Sequence, residues 1–201
     1  MRRWWSGMAA VLAREVRAEW RAKERLSPMA FFVLLTTMVF SFAFAQAGLA
    51  VDQVAPGVLW TGLVFACLLG LGRSFAGEQQ NRCIDALLLA PLDRGALYVG
   101  KMLANLLSLL AVEVLAVLAL AVLFSLEPGF ALLPLAGVLA LGAAALSAAG
   151  TLFAALSSNL RLRELLLPLV MLPVVMPSVI AAVSATGVIL RGGPAAEYLP
   201  Y

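Results

Sequence analysis

Apolar positions in this chain form long unbroken runs, and the charged residues fall between them. Leu26–Val51, Gln53–Gly72, Pro128–Leu160 and Leu165–Leu190 carry no charge, and Met102–Leu126 is interrupted only by Glu113. A helix that spans a bilayer needs roughly 20 predominantly apolar residues. A barrel strand needs about 10, alternating in polarity. The runs therefore predict five transmembrane helices, at 28–50, 54–72, 97–124, 131–156 and 165–189. Ahead of them, Trp4, Trp5, Met8, Val11, Leu12 and Val16 recur at helical spacing, with basic residues on the opposite side. That pattern predicts an interfacial helix within residues 1–25, lying on the anionic inner leaflet. The expected fold is an all-α polytopic membrane protein forming a single membrane domain over residues 1–201.

Composition supports lipid as the main solvent. Hydrophobic residues make up 63% of the 201 and charged residues 12%, against roughly 45–50% and 25% in soluble domains. The charges also set an orientation. With the N-terminus in the cytoplasm and five spans alternating, thirteen of the fourteen Lys and Arg lie inside and only Arg191 lies outside. This is the bias of cytoplasmic loops. Arg2 and Arg3 resemble the start of a signal peptide, but Arg14, Glu15 and Arg17 cut the apolar run and no small-residue cleavage site follows. Cleavage is not expected. The absence of histidine removes His-based catalysis and His metal or haem ligation. Cys67 and Cys83, sixteen apart, do not match a metal-ligand spacing.

Residues 73–96 form the longest cytoplasmic connection. The segment opens polar, then places Ile84, Leu87 and Leu88 on one helical face with Asp85 opposite. Pro91 should stop this short amphipathic helix, and Asp93 should cap the next one, beginning near Gly95. Two readings stand: docking into a groove on a soluble partner, or rest on the bilayer surface. Gly95–Lys101 matches half of a P-loop, but Met102 replaces the Ser or Thr that would hold Mg²⁺, and no strand precedes it. ATP hydrolysis by this chain is not expected, and Lys101 should snorkel to the inner interface.

Several residues stand out within the predicted spans. Glu113 is a carboxylate in mid-span, expensive in lipid and so a candidate for function. Lys101, Asn105 and Ser108 share a helical face within about 60°, with Glu113 further round. Together they are either the lining of a transport route or gate, or a structural set in which a protonated Glu113 bonds a neighbouring helix. The fourth span is rich in small residues from Gly137 to Ala155, suited to close packing within the chain or at a dimer seam. The fifth contains Pro168, Pro173 and Pro177. Three lost backbone donors predict a bent or broken helix buried against others, a feature of moving parts in transporters. Glu164 at its entry reads either as a gating residue or as a carboxylate at a helix N-terminus.

These stretches resemble a known family. The segment EQQNRCIDALLLAPLDRGALYVGK (78–101) is similar to the coupling segment of ABC-2-type export permeases. RAKERLSPM (21–29), APGVLW (55–60), GRSFAGEQ (72–79), GTLFAALSSN (150–159) and LLLPLVMLPVVMPSVIAAVSAT (165–186) narrow the resemblance to the CcmB family, the haem exporter permeases of cytochrome c maturation. The similarity spans residues 14–187.

The resemblance implies a bacterial inner-membrane permease subunit, itself not an enzyme, whose ATP is bound and hydrolysed by a separate CcmA-like chain. It also implies a CcmC-like membrane subunit and a CcmE-like haem chaperone, with haem as the candidate cargo; a second copy of the chain and the lipid bilayer are the other candidate partners. No cofactor on this chain and no nucleic-acid partner are expected. The family has six spans with both termini inside, so the sixth is expected to be missing after residue 201. Glu78, Arg82, Asp85, Pro91, Asp93 and Arg94 become the candidates for coupling to the ATPase. Asn105, Glu113, Glu164, Pro168, Pro173 and Pro177 become the candidates for a path or gate. The expected activity is haem export, or ATP-driven release of haem-loaded chaperone. Alternatives are an ABC-2 permease for another amphipathic cargo, and a membrane scaffold that recruits an ATPase and chaperone without transport.

Overall fold

The computed structural model describes residues 2–48, 51–80, 93–124, 132–157 and 163–191. Within them the chain is helical: α1 (Arg2–Ala22), α2 (Leu26–Ala47), α3 (Val51–Gln80), α4 (Arg94–Leu123), α5 (Leu132–Ser157) and α6 (Arg163–Leu190). All but α1 are long and apolar enough to cross a membrane. This is a polytopic membrane protein, and the candidate spans fall on the uncharged runs, Gln53–Arg73 of α3 included. That helix continues through residues 73–80, expected to belong to the cytoplasmic connection. Nothing in this stretch breaks a helix: Arg73 to Gln80 contains no proline. Arg82, Asp85 and Pro91 lie outside the described residues, as does the amphipathic helix expected there.

The helix α3 is the hub. It packs against α2, α4, α5 and α6, and 67% of its apolar window is buried, against 17% for α2. The sequence allows this because α3 presents small residues between large ones. Trp60, with no exposed surface, points its ring at Gly142 of α5, where a Cβ would collide with it. The indole Nε1 donates to Thr186 Oγ1 of α6 at 3.0 Å, and that hydroxyl donates to Ala182 O at 2.7 Å. Trp60 thus ties three helices together. Leu71 lies against Gly150 of α5 in the same way. Gly142 and Gly150 of α5 therefore serve packing inside this chain, as helix contacts in lipid favour. Leu133, Leu141, Val122, Leu169 and Phe31 remain exposed on the outside, as a lipid-facing surface requires.

Between α4 and α5 the connections are polar. Tyr98 donates to Ala148 O (3.0 Å), Ser147 to Met102 O (2.7 Å) and Asn105 Nδ2 to Thr151 Oγ1 (2.9 Å). Asp93 caps α4 as its sequence predicts, accepting from Gly95 N at 2.7 Å.

The proline-rich helix, expected to be bent or broken, is not broken. α6 runs from Arg163 to Leu190 without a break, and Pro173 and Pro177 are exposed while Pro168 is half-buried. Pro173 and Pro177 are four apart, so their missing donors fall on one side. Met171, Val175, Ala182 and Ile189 are buried and carry the packing. Pro173 and Pro177 are accommodated because the helix turns them away from its neighbours.

Candidate functional site

The end of the bundle at which α2 and α4 begin contains a buried charge cluster. It is built from α1, the short turn to α2, and the first turns of α4. Helix α1 lies along α4, and its inward stripe is Gly7, Val11, Glu15 and Glu19, one residue per turn. A Cβ on Gly100 of α4 would lie 2.9 Å from Val11 and 3.1 Å from the carbonyl of Met8, so the two backbones approach closely there. Beyond Val11 the stripe turns acidic, and α4 answers with Lys101 and Asn105.

The turn itself is tight. Lys23 takes a left-handed conformation at φ 52°, a strain on the order of 1 kcal/mol for a residue with a Cβ. What holds it is Glu19. One carboxylate oxygen accepts from the backbone N–H groups of Arg25 (3.1 Å) and Leu26 (2.9 Å), and the other from Arg25 Nε (2.8 Å). A carboxylate from α1 therefore satisfies free donors at the start of α2 and sits at the favourable end of its dipole.

Arg25 connects the layers. Besides Glu19 it donates through Nη1 to Asn105 Oδ1 at 2.9 Å, and its Nη2 lies 3.6 Å from Glu15 Oε2. The other oxygen of Glu15 lies 3.5 Å from Lys101 Nζ. Through Asn105 and Thr151 the chain of contacts reaches α5. Glu15, Glu19, Arg25, Lys101 and Asn105 are all buried. Such a cluster is high-stakes: well paired it fixes one arrangement, and losing one member strands the others.

Lys101 does not snorkel. Helix α1 covers it, and Glu15 meets its charge before it could reach water. Glu15, Glu19 and Arg25 are functional candidates that the sequence pattern left unassigned. Their signal was a pair of acids four apart, then a basic residue in a turn, and a Lys–Asn pair four apart at the head of an apolar run. Asn105, a path candidate from sequence, is a member of this buried cluster.

The other candidates separate. Glu113 lies three turns further into the bundle from Lys101, only 2% exposed, and its Oε1 has no hydrogen-bond partner among the described residues. Its expected bond to a neighbouring helix is not seen for that oxygen. Asp93 and Arg94 begin α4. Glu164 lies in the first turn of α6, and Glu78 near the end of α3.

Protonation gives a test of Glu19. Burial pushes its carboxyl up, but the hydrogen bond from the Arg25 side chain, those from the Leu26 and Arg25 backbone, and the Arg25 charge outweigh this and hold it below the ordinary 4.5. A folded-state value below the unfolded one means the charged form stabilises the fold above the ordinary carboxylate range. That contribution is lost as the pH falls through the lowered value. The melting temperature of the wild type should therefore fall more steeply below pH 4.5 than that of E19Q, which starts lower at neutral pH. Parallel pH profiles would remove Glu19 from this role.

The chain also matches known proteins. The family model described as CcmB protein matches residues 7–199, from α1 to beyond α6. The chain belongs to the CcmB protein family. Among CcmB relatives, the Heme exporter protein B of Rhodobacter capsulatus is 38% identical over 86% of this chain and 79% of its own. The Heme exporter protein B of Paracoccus denitrificans is 35% identical over 94% of this chain and 85% of its own. That of Pseudomonas aeruginosa is 30% identical over 94% and 84% respectively. The CcmB match includes α1, so the helix carrying Glu15 and Glu19 falls within the family's domain and is not an appendage to it.

Proposed function

We propose that this chain is the membrane permease subunit of an ABC complex that exports haem for cytochrome c maturation, in a bacterial inner membrane with its N-terminus in the cytoplasm. The observation that carries the reading is similarity over nearly the whole chain to proteins named Heme exporter protein B. Orientation rests on the thirteen-to-one distribution of basic residues. ATP is hydrolysed by a separate CcmA-like subunit; a CcmC-like membrane subunit and a CcmE-like chaperone complete the assembly.

In this mechanism, closure of the ATPase dimer pushes on the segment between α3 and α4. The push enters α4 at Asp93 and Arg94. There α4 is already bound to α1 through Lys101 and Glu15, and to α2 and α5 through Asn105. The charge cluster makes the inner ends of these helices move together, and haem-loaded chaperone is released at the outer face.

The chain should restore haem-stained c-type cytochromes in Rhodobacter capsulatus lacking its own Heme exporter protein B. Restored export of a different compound without holocytochrome c would favour another cargo. For the coupling step, reversing Arg82 and Asp85 to Glu and Lys should remove most of the copurifying ATPase while leaving the permease in the membrane. Unchanged copurification and unchanged ATPase stimulation would place the contact elsewhere.

A further inference from the structure

Helix α1 has three faces, and only one is covered by protein. At about 100° per residue, Gly7, Val11, Glu15 and Glu19 occupy an arc of about 120° turned towards the bundle. Next to it run Trp5, Val16 and Trp20, which are 60%, 38% and 81% exposed. The third face is basic, with Arg14, Arg17 and Arg21 all exposed. Both acids of α1 are turned inward and engaged by Arg25 and Lys101, and Arg14 reaches round to Glu15 at 3.3 Å. What α1 shows to its surroundings is therefore positive charge beside exposed indole, with no carboxylate among them.

We infer that this exposed face of α1 binds the headgroups of anionic phospholipids, with Arg17 and Arg21 on the phosphate and Trp20 at the acyl boundary. The occupant follows from two properties on one surface. The arginine stripe complements a negative charge, and guanidinium matches phosphate oxygens in geometry. The adjacent tryptophans suit the region where headgroups meet hydrocarbon. An acidic protein would satisfy the arginines and leave Trp20 to water. A neutral bilayer would take Trp20 and leave the arginines unmatched. Only an anionic lipid surface uses both. Folding also sharpens the charge: with Glu15 and Glu19 buried against Arg25, Lys101 and Arg14, the outer face keeps the positive charge of Arg17 and Arg21. Burial of α1 against α4 holds this face in place, so lipid charge acts on the same helix that pairs with Lys101.

The test uses the full chain in neutral detergent, titrated with dioctanoyl phosphatidylglycerol or dioctanoyl phosphatidylcholine and followed by native mass spectrometry. Wild type should bind the anionic lipid more tightly than the zwitterionic one, with the preference shrinking as salt is raised. Each basic residue near an anionic surface contributes about fivefold, so R17Q/R21Q should weaken phosphatidylglycerol binding by more than about tenfold and leave phosphatidylcholine unchanged. W20A should weaken both lipids alike, and R191Q at the far end should change neither. Arg17 and Arg21 are exposed, and circular dichroism checks that the double variant keeps its helices. Equal binding of the two lipids by wild type, or unaltered phosphatidylglycerol binding by a folded R17Q/R21Q, overturns the proposal. So does a double variant that binds lipid normally and instead loses its copurifying ATPase, which would assign the basic face to a protein.

Discussion

Replacing Arg25 with alanine is expected to cost the fold about 3–5 kcal/mol, the usual penalty for stripping one partner from a buried ion cluster. The loss has three parts. Glu19 loses its 2.8 Å partner, Glu15 loses one of its three cations and keeps Arg14 and Lys101, and Asn105 loses the donor on its carbonyl oxygen. Two carboxylates then face each other across buried space. In detergent this should appear as a melting temperature lower by several degrees and as early proteolysis between α1 and α2. R25K retains the charge but not the fork that reaches Glu19 and Asn105 at once, so it should recover only part of the loss. Adding E19Q to R25A should restore stability relative to R25A alone, because it removes a stranded charge. If R25A melts with the wild type, or if E19Q worsens it, the cluster is not acting as a unit. If the chain works as proposed, R25K should also reduce holocytochrome c yield at unchanged membrane levels.

The spans were legible because lipid imposes a simple rule on sequence. Charges cannot sit in hydrocarbon unpaired, so gaps between them mark the helices, and only Glu113 violates the rule. The cap at Asp93 was legible because capping is local. The charge cluster was not, because it joins residues far apart in the chain: Arg25 and Asn105 are 80 positions apart, and Glu15 and Lys101 are 86 apart. On α1 the inward stripe of glycine, valine and two glutamates has no common polarity, so no period in hydrophobicity announces it. The tryptophans mark the apolar face and leave the acids unassigned. Trp4, Met8 and Val11 are shared with the protein side, and Trp20 is the most exposed aromatic of the helix. The continuous α6 has a similar cause. Proline content signals lost hydrogen bonds, but whether a helix breaks depends on where those losses fall relative to its neighbours.

Two glycines of α5 should respond in opposite ways to the same change. At Gly142 a new Cβ would overlap the Trp60 ring. That ring is fully buried and held by its bond to Thr186, so it cannot swing aside. Overpacking of this kind costs about 1–3 kcal/mol, occasionally more, and here the strain would be shared by α3, α5 and α6. Gly137 lies on the same helix, one and a half turns earlier, and a methyl group there would have nothing within 4 Å. Alanine at that position meets no obstacle and is the better helix former. G142A should therefore lower the melting temperature and the folded yield, whereas G137A should match or exceed wild type. W60F, which shortens the ring and removes the bond to Thr186, should partly rescue G142A while being destabilising alone. Failure of that rescue, or equal behaviour of the two alanine variants, would mean that α5 does not pack against α3 through Gly142.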